Sequence, residues 1–83
     1  MHIMKFTKYF QEKVLLKRTY LKTEWCEKAI KNYIKMEIQE DDHRVRFWIY
    51  IPEEQKYLRV ITLEDKETVH NAFFDRTFKE DKK

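Results

Sequence analysis

The chain has 83 residues, of which 40% are charged and 16% aromatic, and its formal net charge is +3. Hydrophobic residues make up 42% of the chain. This hydrophobic and aromatic content is too high for a disordered chain, so the composition predicts one small folded domain over residues 1–83. The positive charge is compatible with a nucleic-acid partner, and no apolar run approaches the ~18 residues of a membrane span. The single cysteine, Cys26, excludes an internal disulfide, and a reducing cytoplasmic compartment is expected.

The N-terminal part of the chain predicts two helices joined near residues 20–22. Residues 1–4 form a short apolar start that is compatible with an edge strand or a simple leader. Thr7 is expected to cap a first helix over about residues 8–18, and Thr23 a second over about 23–32. Apolar side chains recur at helical spacing in both helices: Phe10, Val14, Leu15 and Leu16 in the first, and Trp25, Cys26, Ala29, Ile30 and Tyr33 in the second. Cys26 is expected to be a buried thiol.

After residue 32 the apolar period changes from 3.6 to 2, which predicts four strands over about residues 34–40, 45–52, 57–63 and 67–74. Short charged turns separate them, so neighbouring strands are expected to pair as antiparallel hairpins, followed by a charged tail at 79–83. Because the chain contains no glycine, turns that need positive φ are expected to use Asn, Asp or longer geometries. The predicted fold class is α+β, with two helices packed on one face of a four-stranded antiparallel sheet and the other face open.

The alternation in the second strand assigns its side chains to the two faces. We expect Val45, Phe47, Ile49 and Ile51 in the core, and Arg46, Trp48 and Tyr50 on the open face. The expected registers place Ile51 opposite Leu58, Thr62 opposite Val69, and Ile61 opposite His70, and they put Phe73 on the core side. They also bring Glu37 near Arg46 and Lys35 near Trp48. The open face then collects one set of side chains: Lys35, Glu37, Arg46, Trp48, Tyr50, Arg59 and His70.

This set combines the groups that RNA cleavage by attack of the 2′-hydroxyl requires: a base, a cation for the charged phosphorane, and an acid. We expect His70 to transfer protons with Glu37 or Tyr50 as its partner. Arg46 and Arg59 are expected to bind the scissile phosphate, because arginine forks grip phosphate oxygens. Trp48 would stack a base, and Lys35 and Arg76 would also bind RNA. No cofactor is expected, and the histidines and Cys26 lack the spacing of metal ligands.

Each of these signals also has a structural interpretation. A histidine in the middle of a strand is more often structural than catalytic, and a pair such as Glu37 and Arg46 is often an ordinary surface ion pair. Trp48 and Tyr50 beside Arg59 are compatible with a cation–π cluster or with a surface covered by residues 73–78, in which Phe78 is a natural lid.

Residues 6–78 resemble small bacterial proteins related to BrnT-like toxins of the RelE/ParE superfamily. The resemblance is carried by FTKY at 6–9, Lys17-Arg18, RVRFWIYI at 44–51, KYLRVITLED at 56–65 and ETVHNAFFDR at 67–76. Related proteins often have His at the position of Tyr9, Pro at Tyr33 and Gly at Lys66.

The resemblance implies the toxin of a type II toxin–antitoxin pair, a metal-free endoribonuclease that cuts mRNA and is neutralised by a small antitoxin protein. It extends site roles to Arg46, Arg59, His70 and Arg76, and a homodimer or toxin–antitoxin hetero-oligomer is compatible with it. Two alternatives remain open. One is a non-catalytic module that binds protein or nucleic acid on the same fold, and the other is a degenerate toxin retained for binding, which the Tyr9 departure permits.

Overall fold

The computed structural model describes residues 4–80; the apolar residues 1–3 and the end of the charged tail, 81–83, lie outside the described residues. The elements are β1 (Lys5–Phe6), a π-helical turn (Phe10–Val14) continuing into α1 (Leu15–Lys17), α2 (Thr23–Asn32), β2 (Lys35–Ile38), β3 (Val45–Ile51), β4 (Lys56–Thr62) and β5 (Thr68–Phe74). Within residues 4–80, no helix has the length and apolar character needed to cross a membrane.

The strands form one sheet in the order β1-β5-β4-β3-β2. The predicted α+β class is confirmed, and so is the antiparallel meander of β2 to β5. The sheet has a fifth strand besides the four that were predicted, although the N-terminal segment was already compatible with an edge strand. The short β1 adds in parallel to β5, with Lys5 opposite Thr68 and Phe6 opposite Val69. The sheet is therefore mixed, and its N-terminal edge strand depends on a pairing between the two ends of the chain.

The first helical segment begins where Thr7 caps it, as predicted. The Thr7 hydroxyl oxygen accepts a hydrogen bond from the Phe10 backbone N–H at 3.0 Å, which satisfies one of the N–H groups that a helix start leaves unpaired. Phe10 and Val14 are fully buried against the sheet, whereas Leu16 is exposed. The segment thus buries one narrow stripe of its surface and ends at Arg18.

The second helix, α2, begins at Thr23 with Lys22 at the N-cap and no side-chain cap. The prediction that Thr23 is the cap is therefore wrong by one position. Trp25, Cys26 and Ala29 are buried, as the helical spacing predicted, but Tyr33, predicted on the same face, follows the last residue of α2 and is exposed. Burial raises the pKa of the Cys26 thiol to about 12, because an apolar environment disfavours the thiolate. Cys26 is accordingly a neutral, buried core side chain.

The helices cover one face of the sheet. Apolar side chains on that face are almost completely buried and form one core with residues of both helical segments: Phe10, Val14, Leu21, Trp25, Cys26, Ala29, Val45, Phe47, Ile49, Ile51, Leu58, Val60, Val69 and Ala72. The predicted alternation of β3 is confirmed, since its four odd-numbered apolar residues lie in this core. Arg46, Trp48 and Tyr50 therefore lie on the opposite face.

The register between β3 and β4 differs from the prediction by two residues. Ile51 pairs with Lys56, Ile49 with Leu58 and Trp48 with Arg59, because the hairpin turn is shorter than expected. A shift of two leaves every side chain on its predicted face, so the hydrophobic pattern could not detect it. The predicted pairing of β2 with β3, with Lys35 opposite Trp48 and Glu37 opposite Arg46, is confirmed.

A bulge in the pairing of β4 with β5 changes the faces of the last strand. Thr62 pairs with Val69 as predicted, but Ile61 pairs with Asn71 and Arg59 with Phe73. His70 is the extra residue in β5 at this bulge, because it lies between Val69 and Asn71 and has no paired residue on β4. The predicted pairing of Ile61 with His70 is therefore wrong. Phe73 lies on the open face and Ala72 in the core, which reverses the prediction for both.

Each of the three hairpin turns contains one non-glycine residue with positive φ: His43 (61°), Gln55 (54°) and Lys66 (63°). None of the three is Asn or Asp, which were expected there as an alternative to longer turn geometries. In two of these turns, the residue before the positive-φ position is an aspartate whose side chain accepts backbone N–H groups of the turn. Asp42 accepts the Arg44 N–H at 3.0 Å, and Asp65 accepts the Glu67 and Thr68 N–H groups at 2.9 Å, the usual way in which Asp stabilises a turn.

Candidate functional site

One half of the open face is a packed cluster centred on Asp75, the residue that follows β5. The Trp48 indole Nε1 donates to Asp75 Oδ2 at 3.0 Å, and Arg59 donates to the same oxygen through Nε at 3.1 Å and Nη2 at 2.7 Å. Trp48 is only 4% exposed and Asp75 only 8%. We call this set, completed by Tyr57 and Phe78, the Trp48 cluster.

The Asp75 carboxylate is ionised in this buried position. Burial by itself raises its pKa, but hydrogen bonds from Thr77, Trp48 and Arg59 outweigh that effect and hold the pKa well below the usual range of an aspartate. Its second oxygen, Oδ1, accepts from the Thr77 backbone N–H at 3.0 Å and the Thr77 hydroxyl at 2.7 Å. Both carboxylate oxygens are therefore used inside the protein.

Phe78 covers the cluster from the solvent side. Its ring stacks on Trp48 with the centroids 5.1 Å apart, and Tyr57 meets it edge-on at 5.1 Å. The Arg59 guanidinium lies 5.4 Å from the Trp48 ring centroid and 5.0 Å from that of Phe73. The structural interpretation in which Phe78 is a lid and Arg59 forms a cation–π cluster is thus confirmed. A base could stack on Trp48 only after Phe78 had moved.

A chain of surface contacts joins β2 to β3 beside this cluster. Arg46 Nε donates to Gln39 Oε1 at 2.9 Å, and its Nη1 lies 3.5 Å from Glu37 Oε1. Lys35 Nζ lies 3.5 Å from the other Glu37 oxygen and 5.9 Å from the Trp48 ring centroid. Exposed pairs of this kind contribute about 0.2–1 kcal/mol each. Replacing the Glu37 contact of Arg46 by a phosphate would therefore cost little free energy, whereas breaking the buried Arg59–Asp75 pair would cost more.

The other half of the open face contains His70, which lies against the start of the first helical segment. His70 Nδ1 is 3.1 Å from the Thr7 hydroxyl oxygen, and the Tyr9 ring stacks on the imidazole with the centroids 4.9 Å apart. Burial and the positive charge of Arg44 lower the pKa of His70, and the charge of Asp42 partly offsets this. The imidazole is consequently neutral at pH 7. We call Thr7, Tyr9 and His70 the His70 site.

The structure divides the predicted site residues into separate groups. Glu37 and Tyr50, the predicted partners of His70, do not lie beside it. Glu37 is on β2, three strands from β5 and thus roughly 14 Å away. Tyr50 pairs with Tyr57 at the opposite end of β3, where the two rings are 5.0 Å apart. Arg76 is exposed beyond β5, in a shallow hollow that Lys56 and Phe74 also line.

Two contacts of β5 were not predicted from the sequence. Arg18, at the end of the first helical segment, donates from Nη1 to Asn71 Oδ1 at 2.9 Å and covers the edge of β5 beyond β1. The only sequence signal for it was the Lys17-Arg18 pair in the resemblance. Thr7 was predicted as a helix cap, but its contact with His70 joins residues 63 positions apart, which no local pattern reveals.

Among residues 4–80, no group of three or more His, Cys, Asp or Glu side chains is arranged to hold a metal ion. Comparisons of the chain with protein-family models, with curated proteins and with solved structures find no match.

Proposed function

We propose that this protein is a toxin of the type II toxin–antitoxin class that cleaves RNA by attack of the 2′-hydroxyl, with His70 as the base. The observation that carries the proposal is the His70 site. A neutral imidazole there has one nitrogen fixed by Thr7 and an aromatic ring against it, at the edge of an open, basic sheet face. A RelE-like fold, a cytoplasmic location and a small antitoxin partner belong to the same proposal.

The lowered pKa of His70 suits a general base, because the imidazole is unprotonated at pH 7 and able to accept the 2′-hydroxyl proton. The step requires the tautomer in which Nδ1–H donates to the Thr7 hydroxyl oxygen, because Nε2 then carries no proton and is the nitrogen that meets the substrate. The attacking 2′-oxygen forms a bond to phosphorus as the bond to the 5′-oxygen breaks. The Tyr9 hydroxyl gives its proton to the leaving 5′-oxygen, and the products are a 2′,3′-cyclic phosphate and a 5′-hydroxyl.

The phosphate contact in this proposal belongs to Arg44 and Arg46. Arg44, the residue before β3, is near enough to His70 for its charge to lower the pKa of the imidazole, and Arg46 lies two residues further along, on the open face of β3. Arg59 and Trp48 instead maintain the sheet face through Asp75. Tyr9 takes the position of the histidine that the resemblance implies in related toxins. Its ring is 49% exposed and is able to stack an RNA base as well as the imidazole.

A second candidate is a non-catalytic module that binds protein or nucleic acid. The observation in its favour is the Trp48 cluster, which uses Trp48, predicted to stack a base, and Arg59, predicted to bind the scissile phosphate, in contacts inside the protein. In that case the remaining basic surface would bind a partner without reacting with it. The two candidates differ in one respect that can be measured, because only the first requires Nε2 of His70.

Induced expression in bacteria tests the proposal through growth arrest. His70→Asn keeps a polar atom near the position of Nδ1, so it retains the Thr7 contact, and removes Nε2. His43→Asn is the matched control, since His43 is exposed on a turn and Asn tolerates its positive φ. We expect the parent and His43→Asn to arrest growth, and His70→Asn to relieve the arrest with an unchanged melting temperature.

Two other results of this experiment would contradict the proposal. Arrest by folded His70→Asn as strong as that by the parent would remove His70 from the chemistry. Normal growth with the parent itself would contradict the toxin assignment and favour the binding module. Retention of RNA by the purified parent without cleavage would then identify nucleic acid as its ligand.

A further inference from the structure

The outer edge of β2 carries a row of backbone groups without a partner strand among residues 4–80, since β2 is the last strand in the sheet order. Large apolar side chains are exposed along it, with Ile34 45% and Ile38 56% exposed. Lys35 and Glu37, of opposite charge, lie between them on the open face. Natural edge strands usually avoid such a surface, because it invites another strand to pair.

The hydrogen-bonding pattern of β2 determines which backbone groups point outward. The Gln39 N–H donates to the Arg44 C=O at 2.8 Å. Gln39 and Arg44 continue the register of the β2–β3 pairing, in which the numbers of paired residues add to 83, so they form one of its hydrogen-bonded pairs. Because bonded positions alternate in an antiparallel pair, Lys35, Glu37 and Gln39 direct their backbone groups toward β3. The N–H and C=O groups of Met36 and Ile38, and the Ile34 C=O, therefore face the free edge.

We propose that β2 pairs antiparallel with β2 of a second copy of this chain, with the twofold axis at Met36. In this register the Met36 N–H of each copy donates to the Met36 C=O of the other. The Ile38 N–H likewise donates to the Ile34 C=O, which gives four backbone hydrogen bonds. The Ile34 N–H is not needed, because it already donates to the Trp48 C=O at 2.8 Å.

Charge selects this register and this partner. With the axis at Met36, Lys35 of each copy lies opposite Glu37 of the other on the open face, and Ile34 lies opposite Ile38 of the other copy. The two neighbouring registers that keep outward backbone groups paired have their axes at Lys35 and at Glu37, and each sets two like charges opposite each other, which is unfavourable. A slip of one residue would place inward backbone groups at the interface. A second copy of the same strand, reversed, complements Lys35 and Glu37 in this way.

The interface is narrow, because it consists of one short strand from each copy with its apolar side chains. The dimer is therefore expected to be weak and to form with increasing protein concentration. Its two sheets join into one continuous ten-stranded sheet, and the open faces of both copies lie on the same side. The inference depends on β2 and not on the proposed function.

Sedimentation equilibrium of the purified chain over a range of concentrations tests the interface through paired charge reversals. Lys35→Glu and Glu37→Lys are each expected to lower the association constant by on the order of tenfold or more, because both symmetric contacts become repulsive. A mixture of the two variants is expected to dimerise, since every contact between them joins opposite charges. Lys8→Glu, which disrupts an exposed ion pair on the first helical segment, is the matched control and should dimerise like the parent.

Three results would overturn the inference. The first is a parent chain that remains monomeric at millimolar concentration. The second is a mixture of the two charge-reversal variants that associates no better than either alone, which would locate any dimer contact elsewhere. The third is a Met36→Pro variant that dimerises like the parent, because proline removes the central N–H donors of the proposed pairing and leaves the β2–β3 bonds intact.

Discussion

Asp75 determines how much of the open sheet face is available to a ligand. Its two oxygens accept from Trp48, Arg59 and Thr77, and in doing so they turn an aromatic-basic surface into a packed cluster. The sequence predicted the outward direction of Trp48 and placed Arg59 on the same face. It did not predict that an acidic residue after the last strand would fold back onto them, because Asp75 carries no pattern that distinguishes it from a solvated strand end.

Asp75→Asn tests this role through stability. The substitution leaves the Arg59 guanidinium without its buried counter-charge, and we expect the free energy of unfolding at pH 7 to fall by roughly 2–3 kcal/mol. Asp41→Asn, on an exposed turn, should change it by less than about 0.5 kcal/mol. Urea unfolding followed by circular dichroism measures both, and equal stability of the two variants would contradict the assigned role.

The same carboxyl predicts the direction of the acid dependence. The pKa of Asp75 is lower in the folded protein than in the unfolded chain, so the unfolded state binds more protons at low pH. The contribution of Asp75 is therefore fully present above about pH 4 and is lost as the pH falls toward the folded pKa. Between pH 5 and pH 3 the parent should lose more stability than Asp75→Asn, and parallel curves would show that Asp75 has no such role.

At the scale of elements, periodicity predicted where the strands of the meander lie and the β2–β3 register, but not the registers of the other two hairpins. A period of 2 identified β2 to β5 and assigned the faces of β3 correctly, because alternation alone carries that information. It could not distinguish registers that differ by two residues, so the β3–β4 hairpin was misplaced without any side chain changing face. In β5 the buried residues Val69 and Ala72 are three positions apart. This break in the period was the only sequence sign of the bulge at His70.

Lys66 illustrates how the turns form without glycine. It has φ of 63°, a region that costs a residue with a β-carbon roughly 1–2 kcal/mol. The resemblance places a glycine at this position. We expect Lys66→Gly to raise the free energy of unfolding by about 0.5–1 kcal/mol, since relief of the strain exceeds the added entropy of the unfolded chain. Lys66→Ala retains the β-carbon and is expected to give no gain, and thermal melts of the two variants compare them directly.

At the scale of the whole molecule, the His70 site exists only because the two ends of the chain meet. β1 pairs with β5, and this pairing brings Thr7 and Tyr9 onto His70. The sequence predicted a proton-transfer role for His70 and showed Tyr9 as a departure from the toxins that the chain resembles, but no pattern in it linked the two residues. A parallel pairing between a two-residue strand and the last strand has no local sequence signal, so the sequence predicted partners of His70 on β2 and β3 instead.

The most direct test of the central claim is RNA cleavage by the purified protein in the presence of EDTA. The parent should produce fragments with 2′,3′-cyclic phosphate ends. The rate should rise with pH through the pKa of His70, which lies below about 6.5, and then level off as the imidazole becomes neutral. His70→Asn should leave the RNA intact while remaining folded. Intact RNA after incubation with the folded parent, or equal cleavage by His70→Asn, would contradict the proposal.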